Sequence, residues 1–221
     1  AITEVPAARW DGSAQPALPE PAASRVRHGG FVGDAQLFDG AAFGVPPAEA
    51  SAMDPQQRLL LERGYAALHE GGLDRATLGG SLTGVFLGIA SPDFTQLLAA
   101  SPAGGSVYAA PGTALSIASG RLSYVLGLHG PCASYDTACS ASLVANHAVV
   151  RALQRSECVA ALSAGVNMIL DPATILGMAI AGYTSPTGRS HTFDARADGY
   201  ARGEAIDAVA CGPGGGNVAV L

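Results

Sequence analysis

The chain contains no lysine. All twelve of its basic residues are arginine, which excludes Schiff-base formation and lysine general-base chemistry. It has no basic cluster either. The formal net charge is −6, and the Lys/Arg stripe expected of a nucleic-acid-binding protein is missing. Charged residues are only 14% of the chain against 48% hydrophobic, a balance that specifies a buried interior rather than disorder. The four cysteines, Cys132, Cys139, Cys158 and Cys211, form no C-x-x-C pair and no regular spacing. That argues against a zinc site and against a disulfide framework. Reduced thiols in an intracellular compartment fit better. No apolar run reaches the roughly 18 residues of a membrane span. The first residues lack a basic region followed by an apolar core, so no signal peptide is read there. The chain starts at Ala1 rather than Met, and a start inside a longer product is expected. No internal repeat of fixed period is visible.

What remains is a chain dominated by Ala and Gly, whose interior must rely on close backbone packing. Its 221 residues suffice for one large domain, or for one domain and a share of another. Residues 1–52 are rich in Pro, Gly and Ala. Pro6, Pro16, Pro19, Pro21, Pro46 and Pro47 argue against long helices there. Trp10-Asp11 and Phe31 to Asp34 read as surface loop and short extended pieces, with Phe38 and Phe43 as anchors. A helix is predicted from Pro55, capped by Asp54, with Leu59, Leu60, Leu61, Tyr65 and Leu68 on one face and Gly71-Gly72 at its end. Thr83 to Ala90 reads as a fully buried strand. A helical turn is expected around Phe94 to Ala100, and a helix over Ala114 to Tyr124 capped by Thr113. Cys158 to Val166 reads as a second buried strand, and Asp171-Pro172 as a cap and helix start. Tyr183 to Asp198 is a polar loop. Residues 205–221 read as a glycine-rich tail ending in a few strand-like residues. Strands alternating with helices predict an α/β layered fold.

One stretch carries chemistry. Tyr135-Asp136-Thr137-Ala138-Cys139-Ser140-Ala141-Ser142 is a short polar run with one cysteine, followed at once by an apolar segment long enough for about three helical turns. Pro131 to Tyr135 reads as the end of a strand or an entry turn. Cys139 is thus expected in a turn that opens a buried helix. Unpaired backbone N–H groups and the positive end of the helix dipole there favour thiolate over thiol, and the thiolate is the nucleophile. A buried inert thiol is the plainer reading of any lone cysteine, and it stands for Cys132, Cys158 and Cys211.

Asp136 to Ala145 resembles the nucleophile motif of β-ketoacyl synthases, in particular the ketosynthase domains of modular-type polyketide synthases. Glu4 to Asp11 is similar to the family's early loop and Met53 to Glu62 to its signature helix. Ser185 to Arg189 and Thr192 to Glu204 are similar to the loop over its active site. These motifs follow the family's order and cover nearly all of residues 1–204. The resemblance implies a thiolase-like fold of two related α/β halves in layers, with this chain mainly the N-terminal half. It implies polyketide or fatty-acid biosynthesis in a cytoplasmic setting, a plastid being left open. Cys139 would accept an acyl group from the phosphopantetheine of an acyl carrier protein, its backbone N–H forming half of an oxyanion site. A malonyl-type unit would then lose carbon dioxide and attack the acyl thioester. Thr137, Ala138 and Ser140 would shape the turn, and Phe193 and Asp194 would wall the pocket. No bound cofactor and no metal is implied. The partners would be the carrier protein and a second copy of the chain, or a larger synthase.

The family's two histidines, in a His-Gly-Thr-Gly-Thr and an Asn-Ile-Gly-His motif, do not occur in this sequence, and its opening strand is absent as well. Of the five histidines, His147 is read as a packing residue, His129 as a structural or exposed turn residue, and His191 as part of a solvated loop. His28 and His69 match no motif. Asp194, Asp198, Arg202 and Glu204 are read as a salt-bridged loop rather than an acid/base set. Gly212 to Leu221 is similar to the family's C-terminal Gly-Phe-Gly-Gly-Thr-Asn-Ala-His loop, with Pro213, which has no N–H to donate, at the Phe position. Three readings stay open: a ketosynthase whose condensing machinery is incomplete in this chain, a segment of an ordinary active enzyme, and a non-catalytic ketosynthase-like protein that assembles with a partner.

Overall fold

The computed structural model describes residues 1–10, 18–212 and 218–220. Pro213, on which the tail comparison turned, lies outside the described residues. The chain forms two compact units. One comprises Ala1–Gly33 and Met168–Ala205, the other Asp34–Asn167 and Ile206–Leu221.

The second unit is built on a sheet of order β4-β3-β5-β6-β7: β3 (Thr83–Ile89), β4 (Cys132–Tyr135), β5 (Ala160–Asn167), β6 (Ala205–Cys211) and β7 (Val218–Val220). β3 runs parallel to both β4 and β5, and β7 is antiparallel to β6. All seven residues of β3 are buried, as expected for a parallel strand covered on both faces. Its side chains divide by alternation. Val85, Leu87 and Ile89 join Leu60, Leu61, Leu68, Leu122, Leu162 and Val166 in one core. Phe86 faces the other way, among Ala145, Val149, Ala152 and Ala161. Helices α3 (Pro55–Glu70) and α7 (Leu115–Leu126) therefore cover one face and α8 (Ala141–Gln154) the other. The shorter helices of this unit are α2 (Pro47–Ala52), α4 (Arg75–Leu78), α5 (Asp93–Ala99) and α6 (Ala109–Thr113). Phe38 stacks on Phe43, and Phe43 meets Tyr65 edge-on, whereas Trp10 and Phe31 belong to the first unit, where Arg9 lies over the Phe31 ring.

Several expectations need correction. Thr113 does not cap α7. Its hydroxyl donates back to the Ala109 carbonyl at 3.1 Å, inside α6, and α7 starts after Ala114 with no side-chain cap. The helix after Cys139 is not buried all round. Only Ala141, Ala145, Val149 and Ala152 are buried, a stripe of helical spacing. His147 falls outside that stripe and is exposed, not packed. Ala205–Cys211, assigned to the glycine-rich tail, is the strand β6.

The α3 cap holds as expected. Asp54 Oδ1 accepts from Gln56 N–H at 2.8 Å and Oδ2 from Gln56 Nε2 at 3.1 Å. The same Gln56 amide donates to the Ser91 carbonyl at 3.0 Å, tying the helix start to the loop after β3. Burial pushes the Asp54 carboxyl up to about 6, against the Gln56 hydrogen bonds and the Arg58 charge, with the nearby Asp93 charge adding to the rise.

The first unit contains β1 (Ile2–Glu4) antiparallel to β2 (His28–Gly30), with α1 (Ala22–Arg25) and α9 (Pro172–Ile180). Asp171 caps α9 by accepting from Ala173 N–H. The central tie is Glu204, whose side chain is fully buried. Its two oxygens accept from Arg9 Nε at 2.9 Å, Arg9 Nη2 at 2.7 Å, Val32 N–H at 2.8 Å and Ile169 N–H at 3.0 Å. Arg9 Nη2 also donates to the Val32 carbonyl. Arg25 closes the other loop, donating to the carbonyls of Gly182, Thr184 and Asp198.

Two outcomes are expected. Glu204→Ala strands a buried guanidinium and two buried N–H groups, and should cost about 3 kcal/mol or more. Urea denaturation measures it, and a loss within about 0.5 kcal/mol contradicts it. For Asp54, the folded pKa lies above the ordinary 3.8, so proton binding favours the folded state below about pH 4 and that contribution is lost as pH rises through about 6. Between about pH 4 and pH 7 the native chain should lose about 3 kcal/mol more stability than Asp54→Asn. Parallel pH dependence of unfolding in the two proteins refutes this.

Candidate functional site

The cysteine turn follows from the order of elements. β4 runs beside β3, with Gly88 opposite Tyr135 at the carboxyl end. The chain leaves the sheet there, at the edge where open parallel sheets place their ligands. A 3-10 turn, Ala138–Ser140, then leads directly into α8. Three side chains shape that turn. Asp136 Oδ1 accepts from Ala138 N–H at 3.0 Å, a local Asx turn. Ser140 Oγ donates to the Thr137 carbonyl and lies equally close, at 2.9 Å, to Thr137 Oγ1. Ala138 is held at φ 53°, a left-handed conformation costing an L-residue about 1 kcal/mol. Such strain concentrates at functional sites. Cys139 sits between these residues and is exposed.

The cap chemistry leaves the helix end open. Ser140 is the N-cap of α8, yet its side chain caps none of the first N–H groups, because its hydroxyl is turned back to Thr137. An uncapped first turn of a 14-residue helix presents donors and a positive dipole end, both of which stabilise nearby negative charge. Cys158 differs: it is buried, and burial pushes its thiol up. Cys211 is half-buried with the same direction and cause.

Of the predicted residues, Thr137, Ala138, Cys139 and Ser140 are brought together in this one turn of the second unit. Phe193 and Asp194 belong to the first unit. There they lie in a turn closed by Asp194 N–H donating to the His191 carbonyl at 2.9 Å. His191 and Phe193 both have positive φ, 48° and 64°, and the Phe193 side chain is fully exposed. Asp194 accepts from Arg196 Nε at 3.0 Å, from Nη2 at 2.7 Å and from the Arg196 backbone N–H at 2.8 Å. These bonds hold its carboxyl down at about 2. Asp194 is therefore an ionised, occupied acceptor and no proton donor at neutral pH.

The expected salt-bridged loop is wired differently. Asp194 pairs with Arg196 and Glu204 with Arg9, while Arg202 donates to the Met178 sulfur at 3.1 Å. Sequence distance explains the difference: Arg9 lies 195 residues from Glu204, and no local pattern pairs them. Sequence reading also passed over Gly88 and Gly165, each inside an apolar strand run. A glycine in such a run signals close backbone approach, and both press on the first turn of α8. Among the described residues, no group of three His, Cys, Asp or Glu side chains could hold a metal ion, and no helix is long and apolar enough to cross a membrane.

Comparison with known proteins gives one answer. The family described as "Beta-ketoacyl synthase, N-terminal domain" matches residues 1–210. A phenolphthiocerol/phthiocerol polyketide synthase subunit of Mycobacterium tuberculosis is 45% identical over 211 residues, covering 95% of this chain and 14% of that protein. A mycocerosic acid synthase-like polyketide synthase of Mycolicibacterium smegmatis is 43% identical over 205 residues, or 92% of this chain and 10% of that one. Among solved structures, the ketosynthase from module 6 of the bacillaene synthase of Bacillus subtilis 168 superposes with a TM-score of 0.82 at 35% identity. The match covers 96% of this chain and 34% of the ketosynthase. An oxazolomycin ketosynthase domain of Streptomyces albus JA3453 gives 0.84 at 32% identity, covering 96% and 38%. The chain thus spans about a third of the solved ketosynthases and a far smaller share of the mycobacterial synthases. With the thiolase-like α/β fold of these ketosynthases and a family match over nearly its whole length, the chain belongs to the β-ketoacyl synthase family and corresponds to its N-terminal domain.

Proposed function

We propose that this chain supplies the acyl-accepting half of a polyketide synthase ketosynthase, with Cys139 as the nucleophile. The observation that carries the reading is the exposed Cys139 in a strained, side-chain-braced turn at the uncapped start of α8. The Cys139 sulfur attacks the carbonyl carbon of an acyl thioester. A carbon–sulfur bond to Cys139 forms and the bond to the carrier's phosphopantetheine breaks, the carrier thiol leaving with the proton that Cys139 gives up. The Cys139 backbone N–H serves the oxyanion that develops on the way. Thr137, Ala138 and Ser140 hold the turn through the Asp136–Ala138 and Ser140–Thr137 hydrogen bonds.

The acyl carrier protein is the donor in this reading, and a second copy of the chain a structural partner. In support of association, β4 stands at the edge of the described sheet, where a strand's outer backbone groups are open to pairing. Leu143 and Val150 of α8 are exposed as well. Condensation is a separate step. The histidine motifs that the family uses to assist decarboxylation and stabilise the resulting charge are not in this sequence. The chain by itself therefore accepts an acyl group and does not extend it.

Incubation with an acyl thioester, followed by peptide mass mapping, should find the acyl group on Cys139 and nowhere else, and Cys139→Ala should abolish it. Adding a malonyl-loaded carrier protein should release no 3-oxoacyl product. Absence of the Cys139 adduct overturns the nucleophile assignment, and sustained 3-oxoacyl formation by this chain alone overturns the division of labour.

A further inference from the structure

Gly88 and Gly165 are register partners in the adjacent parallel strands β3 and β5. Neither has a positive φ, so the backbone conformation does not call for glycine. Space does. A Cβ on Gly88 would lie 2.4 Å from Ser142 N, 2.6 Å from Ala141 C and 2.7 Å from Ser142 Cα. All three are backbone atoms of the first turn of α8 and have no torsion by which to move aside. A Cβ on Gly165 would lie 2.1 Å from Ser142 Oγ, 3.0 Å from Ser142 Cβ and 3.0 Å from Asp207 Oδ1. There the obstruction is made of side chains. One helical turn is thus lowered into a notch formed by two missing side chains on neighbouring strands.

We propose that Gly88 and Gly165 are positioning residues for Cys139: they form a seat that sets how deeply the first turn of α8 meets the sheet, and so where the sulfur stands. The proposal rests on the reading of Cys139 as the acyl acceptor. The link from seat to sulfur is short and stiff. Cys139 precedes Ala141 by two residues, and the intervening turn is clamped by the Ser140–Thr137 and Asp136–Ala138 hydrogen bonds. A side chain at position 88 has no room unless the helix start rises, and the rise is passed on to Cys139. Displacements of about 1 Å are enough to cost a reaction one to two orders of magnitude.

The two glycines respond differently to one second-site change, and that difference is the test. In this chain, alkylation of Cys139 by iodoacetamide is followed by peptide mapping, with thermal unfolding recorded for each variant. Gly165→Ala should slow Cys139 labelling about threefold, and Ser142→Gly should restore it by removing the obstructing side chain. Gly88→Ala should slow it about tenfold or more, and Ser142→Gly should not restore it, because the clash there is with backbone. Amide exchange of residues 138–145, which needs no reactive thiol, should lose protection in the same order and recover only in Gly165→Ala with Ser142→Gly. If Gly88→Ala does not fold, the Gly165 pair alone decides. A purely structural role would lower the melting temperature without this rescue pattern. Wild-type labelling and exchange in Gly165→Ala, or rescue of Gly88→Ala by Ser142→Gly, would overturn the seat. A native chain whose Cys139 takes neither label nor acyl group overturns the acyl-acceptor reading instead, while the exchange comparison still decides the seat.

Discussion

Helix α8 can begin where it does because β3 presents no side chain at Gly88. The first turn rests backbone to backbone on the strand, and the cysteine turn hangs between that contact and the end of β4. The α8 stripe of Ala141, Ala145, Val149 and Ala152 follows the same rule of close approach: three of its four residues are alanine, and larger ones would lift the helix from the sheet. Small residues bring little apolar area each, about 25 cal/mol per Å² buried. The larger share of hydrophobic stabilisation in this unit therefore falls to the opposite face, where Leu60, Leu61, Leu68, Leu122 and Leu162 pack. One face of the sheet supplies stability and the other supplies geometry.

Each unit also contains a buried carboxylate, and the two are handled in opposite ways. Glu204 is fully enclosed but receives four N–H donors, two of them from a guanidinium, so its charge is matched and the surrounding segments are pinned to it. Asp54 receives two donors from one glutamine and has another carboxylate nearby. Burial wins there, and the carboxyl gains its proton more easily than an exposed one. The first arrangement is a tie between distant parts of the chain, and the second is a helix cap placed where water does not reach.

Local chemistry was legible in the residues. The Asp54-Pro55 and Asp171-Pro172 starts, the buried strands at Thr83 and Ala160, and the turn at Cys139 all follow from short-range rules of capping, periodicity and turn formation. The misplaced elements had competing local signals. Thr113 is a good cap by type, but its hydroxyl found a carbonyl one turn back. Ala205–Cys211 alternates too weakly to read as a strand until β7 pairs with it. His147 sits in an apolar stretch, and only the orientation of α8 on the sheet decides that it faces outward.

The sequence by itself determined the family, the α/β alternation, and the turn around Cys139 with the helix that follows it, because these depend on residue type and spacing along a few neighbouring positions. The tertiary structure alone decided which arginine neutralises Glu204, how far burial raises the Asp54 carboxyl, and which glycines are needed for space rather than for conformation. Those outcomes depend on groups separated by tens to nearly two hundred residues, such as Arg9 and Glu204 or Gly88 and Ser142. A linear pattern contains no term for such separations; Gly88 meets Ser142 once the sheet has set α8 upon β3, and Arg9 meets Glu204 once the first unit has folded.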